Sequence, residues 1–279
     1  MPLNCRFIVT ALLAGLGARQ AFAVEGSASV NPPALLVRAV EQYLQNQDHW
    51  AYTESRDTVG LPERPKGATV LMVDPSKAYA EQIRPLKVDG QPPTAEQTAE
   101  YRRKGERIAK RREKERQMEA KSTGATPLQD RIKLYLGDQV AVPDLEHAAV
   151  VAEDERSVTY SVPFLDKAGA RDPELDSFQV TVRINKLRGD LEHFAVRQQE
   201  SLRVRLIAKI EGFEEDADFT PVDPRFPSVM THDVARATIS LLFLTRVITS
   251  ESDRTSLRHV TNYDDLFGVK VGPARILKF

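Results

Sequence analysis

A long run of alternating residues between Asp176 and Ile248 constrains the fold more than any other part of the sequence. Every second residue from Phe178 to Ile184 is apolar, which is the period of a strand with one buried face. Gly189 marks a turn, because glycine adopts positive φ readily, and Leu191–Arg197 returns as a second strand. The run therefore predicts a meander of antiparallel strands.

Two further stretches extend this meander. Apolar residues recur at every second position from Leu202 to Ile210, which predicts one strand, and Met230–Ser250 is the longest strand-like stretch. Its centre, Leu241–Leu244, is apolar on both faces, so we expect it to be covered on both sides. The acidic run Glu214–Asp218 lacks the glycine and the distal glutamate of an EF-hand loop. We interpret it as a solvated hairpin turn rather than a calcium site.

The first residues are typical of a secretory signal peptide. Met1–Arg6 carries one positive charge, Phe7–Ala18 is apolar, and Ala21–Ala23 fits the A-x-A cleavage rule. We predict cleavage after Ala23 and export to the bacterial periplasm. The apolar segment is shorter than the roughly 20 residues that span a bilayer, and no later segment approaches that length. The mature chain is therefore expected not to be transmembrane.

Composition narrows the possible chemistry. The net charge of −1 gives no global attraction to nucleic acid, so we expect no nucleic-acid partner. Cys5 is the only cysteine and would leave with the signal peptide, so disulfides and cysteine-ligated metals are excluded from the mature chain. We expect no cofactor.

Motifs for catalysis are absent from the sequence. It contains no G-x-S-x-G, H-E-x-x-H, P-loop or G-x-G-x-x-G pattern. The five histidines lie on separate predicted elements without ligand spacing, which predicts no metal site. The adjacent pair His232 and Asp233 suggests a serine triad, but no activated serine or oxyanion site accompanies it. We therefore predict a protein that is not an enzyme, with a hydrolase as the weakest alternative.

An amphipathic helix is predicted near the mature N-terminus. From about Pro32 to Gln47, apolar residues fall at helical spacing on one face, and Leu36, Val40 and Leu44 lie on it. We expect this helix to lie against the sheet.

A second, highly charged helix is predicted from Thr94 to Lys121. Thr94 and Gln97 fit a capping box, whereas Gly105 weakens the middle of the helix by about 1 kcal/mol relative to alanine. Few apolar residues are available to hold it, so we expect a mobile arm. Its basic residues allow contact with an acidic protein or an anionic membrane surface, and a solvated helix with internal ion pairs is the alternative. The candidate partner-binding residues are Arg103, Arg107, Lys110, Arg111 and Lys114.

This layout resembles the LolA/LolB-like group of bacterial envelope proteins, which includes lipoprotein carriers and RseB-type regulators. The segments Val73–Ser76, Leu86–Thr94 and Phe219–Arg225 are also similar to uncharacterised exported members of that group. The resemblance implies an α+β fold: a strongly curved antiparallel sheet, forming an incomplete barrel, with helices over its concave face and an apolar cavity between them. It implies one domain at 24–279, with the charged helix as an insertion at 94–121.

A half-barrel of this kind suits the binding of a lipid or a lipoprotein acyl chain, since each buried CH₂ contributes about 0.8 kcal/mol. Carriage of such an apolar ligand is the first functional hypothesis. A protein-binding or sensing module that uses the basic helix is the alternative. Ordinary hydrophobic core is the alternative role for the candidate cavity residues. These residues are Leu36, Val40, Leu44, Val180, Val182, Val204, Leu206, Ile239, Leu241 and Phe243.

Overall fold

The computed structural model describes residues 33–60, 67–121, 141–166, 175–204, 208–241 and 244–267, with backbone alone for 111–121, 141–142, 165–166, 175, 203–204, 208, 241 and 267. The predicted signal peptide lies outside these residues. Within them, α1 spans Ala34–Asn46 and α2 spans Ala95–Lys121. The strands are β1 Trp50–Val59, β2 Thr69–Val73, β3 Ile83–Lys87, β4 Ala141–Pro143, β5 Ala149–Glu153, β6 Ser157–Val162, β7 Phe164–Asp166, β8 Phe178–Asn185, β9 Leu191–Gln198, β10 Leu202–Val204, β11 Ala208–Thr220, β12 Val229–Leu241 and β13 Leu244–His259.

Ten of these strands form one antiparallel sheet in the order β3-β2-β1-β13-β12-β11-β9-β8-β6-β5. The sheet is open, with β3 at one edge and β5 at the other, and β10 pairs additionally with β11. A separate small sheet joins β4 to β7. The expectation of a mainly antiparallel sheet with an N-terminal helix is confirmed.

Two stretches predicted as single strands are hairpins. Leu202 pairs with Ile210, so the predicted strand 202–210 is divided between β10 and β11. Leu241 pairs with Leu244, so Met230–Ser250 is divided between β12 and β13. No Gly, Asn or Asp, the residues that signal a turn, occurs at 205–207 or at 242–243, where the paired strands of each hairpin are joined. The acidic run Glu214–Asp218, predicted as a turn, lies inside β11.

The core lies on one face of the sheet, which we call the inner face. α1 packs over β8 and β9 on this face, with Leu36 and Ala39 buried beneath it. Tyr43 meets Phe219 edge to face, with ring centroids 5.4 Å apart. Burial of aliphatic and aromatic side chains, about 1.5–3 kcal/mol each when complete, is the main attraction between helix and sheet. The opposite, outer face carries the polar members of the same strands.

α2 is anchored along its N-terminal half, contrary to the mobile arm expected from sequence. The predicted capping box is present: Gln97 N donates to Thr94 Oγ1 at 3.2 Å, and Thr94 N donates to Gln97 Oε1 at 2.8 Å. Tyr101 and Gly105, one turn apart, are both buried. Gly105 faces the short 3₁₀ helix Tyr79–Glu81, against which α2 packs. The lack of a side chain at Gly105 therefore allows α2 to pack closely on the 3₁₀ helix, which its low helix propensity alone does not indicate.

No helix among the described residues is both long and apolar enough to cross a membrane.

We predict that Gly105→Ala destabilises the protein although alanine favours helices. A Cβ at this position would collide with the backbone carbonyl oxygen of Tyr79. Overpacking of this kind costs about 1–3 kcal/mol. Urea unfolding should show the loss, whereas the control Gly212→Ala should change stability little, because its Cβ would meet nothing within 4 Å. A Gly105→Ala variant as stable as the control would contradict the anchoring.

Candidate functional site

The predicted cavity residues that the structure describes lie together, but in a packed core. Leu36, Val180 and Val182 are buried members of one hydrophobic cluster. Val40, Leu44 and Ile239 pack against it. Of the others, Val204 and Leu241 are placed as the last residues of β10 and β12, and Leu206 and Phe243 lie outside the described residues. Leu36 has an exposed fraction of 0%, which indicates that this position is closely packed in the core.

Two surface pockets of the described residues are lined mainly by charged side chains. One, of about 510 Å³, lies where β6 approaches the β8–β9 hairpin. The other, of about 360 Å³, lies along α2 and is lined by Arg103, Glu106, Arg107 and Lys110. Charged walls suit polar partners better than acyl chains, because an acyl chain would desolvate them without pairing them.

Three of the predicted partner-binding residues form what we call the basic face of α2: Arg103, Arg107 and Lys110. Their spacing of four and three residues places them on one side of the helix, and all three are exposed. Within the described residues, none of the three forms a salt bridge. Lys104, by contrast, lies 3.4 Å from Glu100 and 4.1 Å from the Tyr101 ring centroid. Arg111 and Lys114 are placed in the helix by their backbone alone.

A second charged group, which sequence analysis missed, lies on the inner face. Glu54 is 5% exposed, and its carboxylate pairs with Arg56 and with Arg254 Nε, the latter at 3.6 Å. Burial raises the pKa of nearby Asp233, while Arg56 and Arg254 oppose that shift. A buried ion network is weak evidence for stability, because desolvation offsets the attraction between its charges. It links β1, β12 and β13.

The His232–Asp233 pair is divided between the two faces of β12. Asp233 lies on the inner face opposite Ser252, whereas His232 lies on the outer face opposite Asp253. Successive strand residues point to opposite faces, so these neighbours cannot act on one substrate as a catalytic pair. The strand geometry therefore gives no support to a serine triad at this pair.

The outer face brings together histidines that the sequence analysis treated as isolated. His193, Asp218, His232 and Asp253 occupy directly paired positions on β9, β11, β12 and β13. Asp218 Oδ1 lies 2.8 Å from His193 Nδ1, and Asp253 Oδ1 lies 2.8 Å from His232 Nδ1. The hydrogen bond with Asp253 raises the pKa of His232. Only the strand register joins these residues, so sequence spacing carried no signal for the group.

No family model, curated protein or solved structure matches this chain. Membership of the LolA/LolB-like group stays a hypothesis.

A further histidine, His259, is enclosed by aromatic rings. It stacks on Phe226, with centroids 3.5 Å apart, and meets Trp50 edge to face at 5.3 Å. His49 lies parallel to it at 5.7 Å. Burial, followed by the nearby His49, lowers the pKa of His259. The folded protein therefore favours the neutral ring.

We predict that this site makes the protein acid-sensitive. As pH falls below about 6.5, the unfolded chain protonates His259 while the folded protein resists, so stability is lost. His259→Phe keeps an aromatic ring but cannot titrate, and should lose less stability than the wild type between pH 7.5 and pH 5.5. Urea unfolding at both pH values measures the difference, and NMR titration of the His259 ring checks the shift directly. Equal losses in both proteins would refute the assignment.

Proposed function

We propose that this chain is a non-catalytic protein of the bacterial envelope that binds an acidic protein partner through the basic face of α2. The observation that carries the proposal is the orientation of the helix. Tyr101 and Gly105 are buried on one side, where Gly105 lies against the 3₁₀ helix Tyr79–Glu81. Arg103, Arg107 and Lys110 lie exposed on another side.

Anchoring supports this use of the helix. A fixed backbone presents its cations in one arrangement, so binding need not first order the helix segment that carries them. The long side chains themselves still lose freedom on contact. A partner with carboxylates at matching spacing would be attracted over roughly one Debye length, about 8 Å at physiological salt.

The carboxylate of Glu106 lowers the positive potential beside the basic face of α2. It lies in the same groove, 3.9 Å from Arg102, and so offsets one of the charges beside the basic face. The surface is therefore suited to a partner of defined shape rather than to any polyanion. This favours an acidic protein over a membrane surface, for which local charge density decides affinity.

The envelope location and the fold family are part of the same proposal. The signal-peptide pattern of residues 1–23 supports export, and the open antiparallel sheet with α1 on its inner face is compatible with the LolA/LolB-like arrangement. In that arrangement α2 would be the charged insertion of a strongly curved half-barrel.

We predict that Arg103→Glu/Arg107→Glu weakens partner binding. A photo-crosslinking residue at position 110 in the native host should capture a protein, and that partner should then be purified. Its affinity for the full chain should fall about tenfold or more in the double variant, because charge reversal adds repulsion to the lost attraction. Binding of the wild type should also weaken as salt rises.

The matched control is Lys77→Glu/Arg236→Glu, which makes the same change in net charge at exposed positions elsewhere. It should bind the partner like the wild type. Equal loss in the two variants would reduce the effect to overall charge and overturn the assignment to α2. Sedimentation with phosphatidylglycerol vesicles tests the membrane alternative: co-sedimentation that Arg103→Glu/Arg107→Glu abolishes would replace the protein partner with a lipid surface.

Carriage of an apolar ligand is the second candidate, favoured by one observation: α1 covers the predicted wall residues Val180 and Val182. Since that cluster is packed, a lipid chain would have to displace α1 and take over its apolar contacts. This mechanism requires a helix held mainly by contacts that an acyl chain can replace. Nothing among the described residues favours the hydrolase alternative.

We predict for this second candidate that Leu44→Ala tightens binding of a fluorescent fatty acid. Truncating a half-buried lid residue costs the closed state about 1–2 kcal/mol, which would make the ligand bind about 5- to 30-fold more tightly if α1 must open. The exposed residue Gln45 provides the control, since Gln45→Ala should have no effect. Absence of saturable binding by all three proteins would exclude the carrier.

A further inference from the structure

The outer face concentrates carboxylates around one imidazole. His232 on β12 is directly opposite Asp253 on β13, and Glu251 lies two residues before Asp253 on the same face. A ligand atom from each of the three residues lies within 4.8 Å of the others. Asp218 flanks His232 from β11. One nitrogen and several oxygens thus converge from three adjacent strands.

These carboxylates are poorly compensated. Glu251 is directly opposite Asp57 on β1, and like charges facing each other across strands destabilise a sheet. Within the described residues, neither Glu251 nor Asp57 forms a salt bridge, and Asp253 forms one only with His232. A bound cation would relieve the repulsion that the register imposes.

The surroundings of His193, which lies on the same face, differ from those of His232 because an arginine is present there. There, Arg197 Nη2 donates to both carboxylate oxygens of Asp216, at 2.6 and 2.7 Å. His193 Nε2 lies 3.4 Å from the same carboxylate. A guanidinium already compensates this end, and its charge would repel a metal ion. The need for a cation is therefore confined to the His232 end.

We propose that His232, Glu251 and Asp253 bind a divalent transition-metal ion, with zinc as the ion best suited to one imidazole and two carboxylates. Zinc–nitrogen and zinc–oxygen bonds of about 2.0–2.2 Å are compatible with this group after small rotamer changes. Water would complete the tetrahedron. Because the three residues lie on paired strands rather than on a loop, the site is largely formed before the ion arrives.

His232 Nδ1 cannot form its hydrogen bond with Asp253 and coordinate a metal ion at the same time. If His232 Nδ1 coordinates zinc, its hydrogen bond with Asp253 opens and the aspartate becomes a ligand. Glu251 supplies the remaining protein ligand, so its loss should weaken binding as well.

Isothermal titration calorimetry of zinc chloride into the full chain, without an affinity tag, measures the binding. The wild type should bind one zinc ion saturably, and zinc should raise its melting temperature. His232→Ala and Glu251→Gln should each weaken binding at least about tenfold, as expected when a ligand is removed. Cys5 is present in every protein compared, so its contribution cancels.

His193→Ala is the matched control, because it removes a histidine from the same row while leaving the three proposed ligands. It should bind zinc within about twofold of the wild type. Three results would overturn the site: a wild-type dissociation constant weaker than about 1 mM, equal loss in His193→Ala and His232→Ala, or full binding by Glu251→Gln. Circular dichroism of the variants separates loss of a ligand from loss of the fold.

Discussion

Backbone pairing across β9, β11, β12, β13 and β1 decides which charged side chains of this protein meet. Directly opposite residues have Cβ atoms about 4.5–5.5 Å apart, so register places charges in contact without any help from chain proximity. A slip of one residue would exchange the two faces of a strand. Burial of Phe213 and Ala237, which are paired across β11 and β12, opposes such a slip because it would expose them. The hydrophobic face thereby sets the chemistry of the polar face.

The inner face itself is divided in character. Under α1 it is aliphatic and aromatic, whereas across β12, β13 and β1 it carries Asp233, Arg254 and Glu54. A charge that is removed from water needs a partner of opposite charge. Glu54 has two such partners, an arginine from its own strand and an arginine from β13. Asp233 is less well compensated, which is why burial dominates its raised pKa. This half of the sheet depends on correct strand pairing for more than hydrogen bonds.

Sequence reasoning succeeded wherever a local pattern causes the structure. The alternation of Phe178–Ile184, the turn at Gly189 with φ of 70°, and the capping box of α2 all follow from neighbouring residues. It failed where β10 is joined to β11 and where β12 is joined to β13, because apolar residues continue through both joins and no turn residue marks them. It also failed for contacts between distant segments, such as Glu54 with Arg254. One sequence contains no information about register across long separations.

Gly105 in α2 has a different effect in the folded protein from the one that the sequence predicts. In an isolated helix Gly105 is only a weak point, but against the Tyr79 carbonyl it is the residue that allows contact. Docking this side leaves the basic face exposed, while the outer face near His232 is acidic. The net charge of −1 does not indicate either surface, because the basic residues of α2 and the acidic residues near His232 offset each other in the sum. At physiological salt, fields decay over about 8 Å, so a ligand responds to the local surface rather than to that sum. An anionic partner at α2 and a cation on the outer face are therefore compatible on one chain.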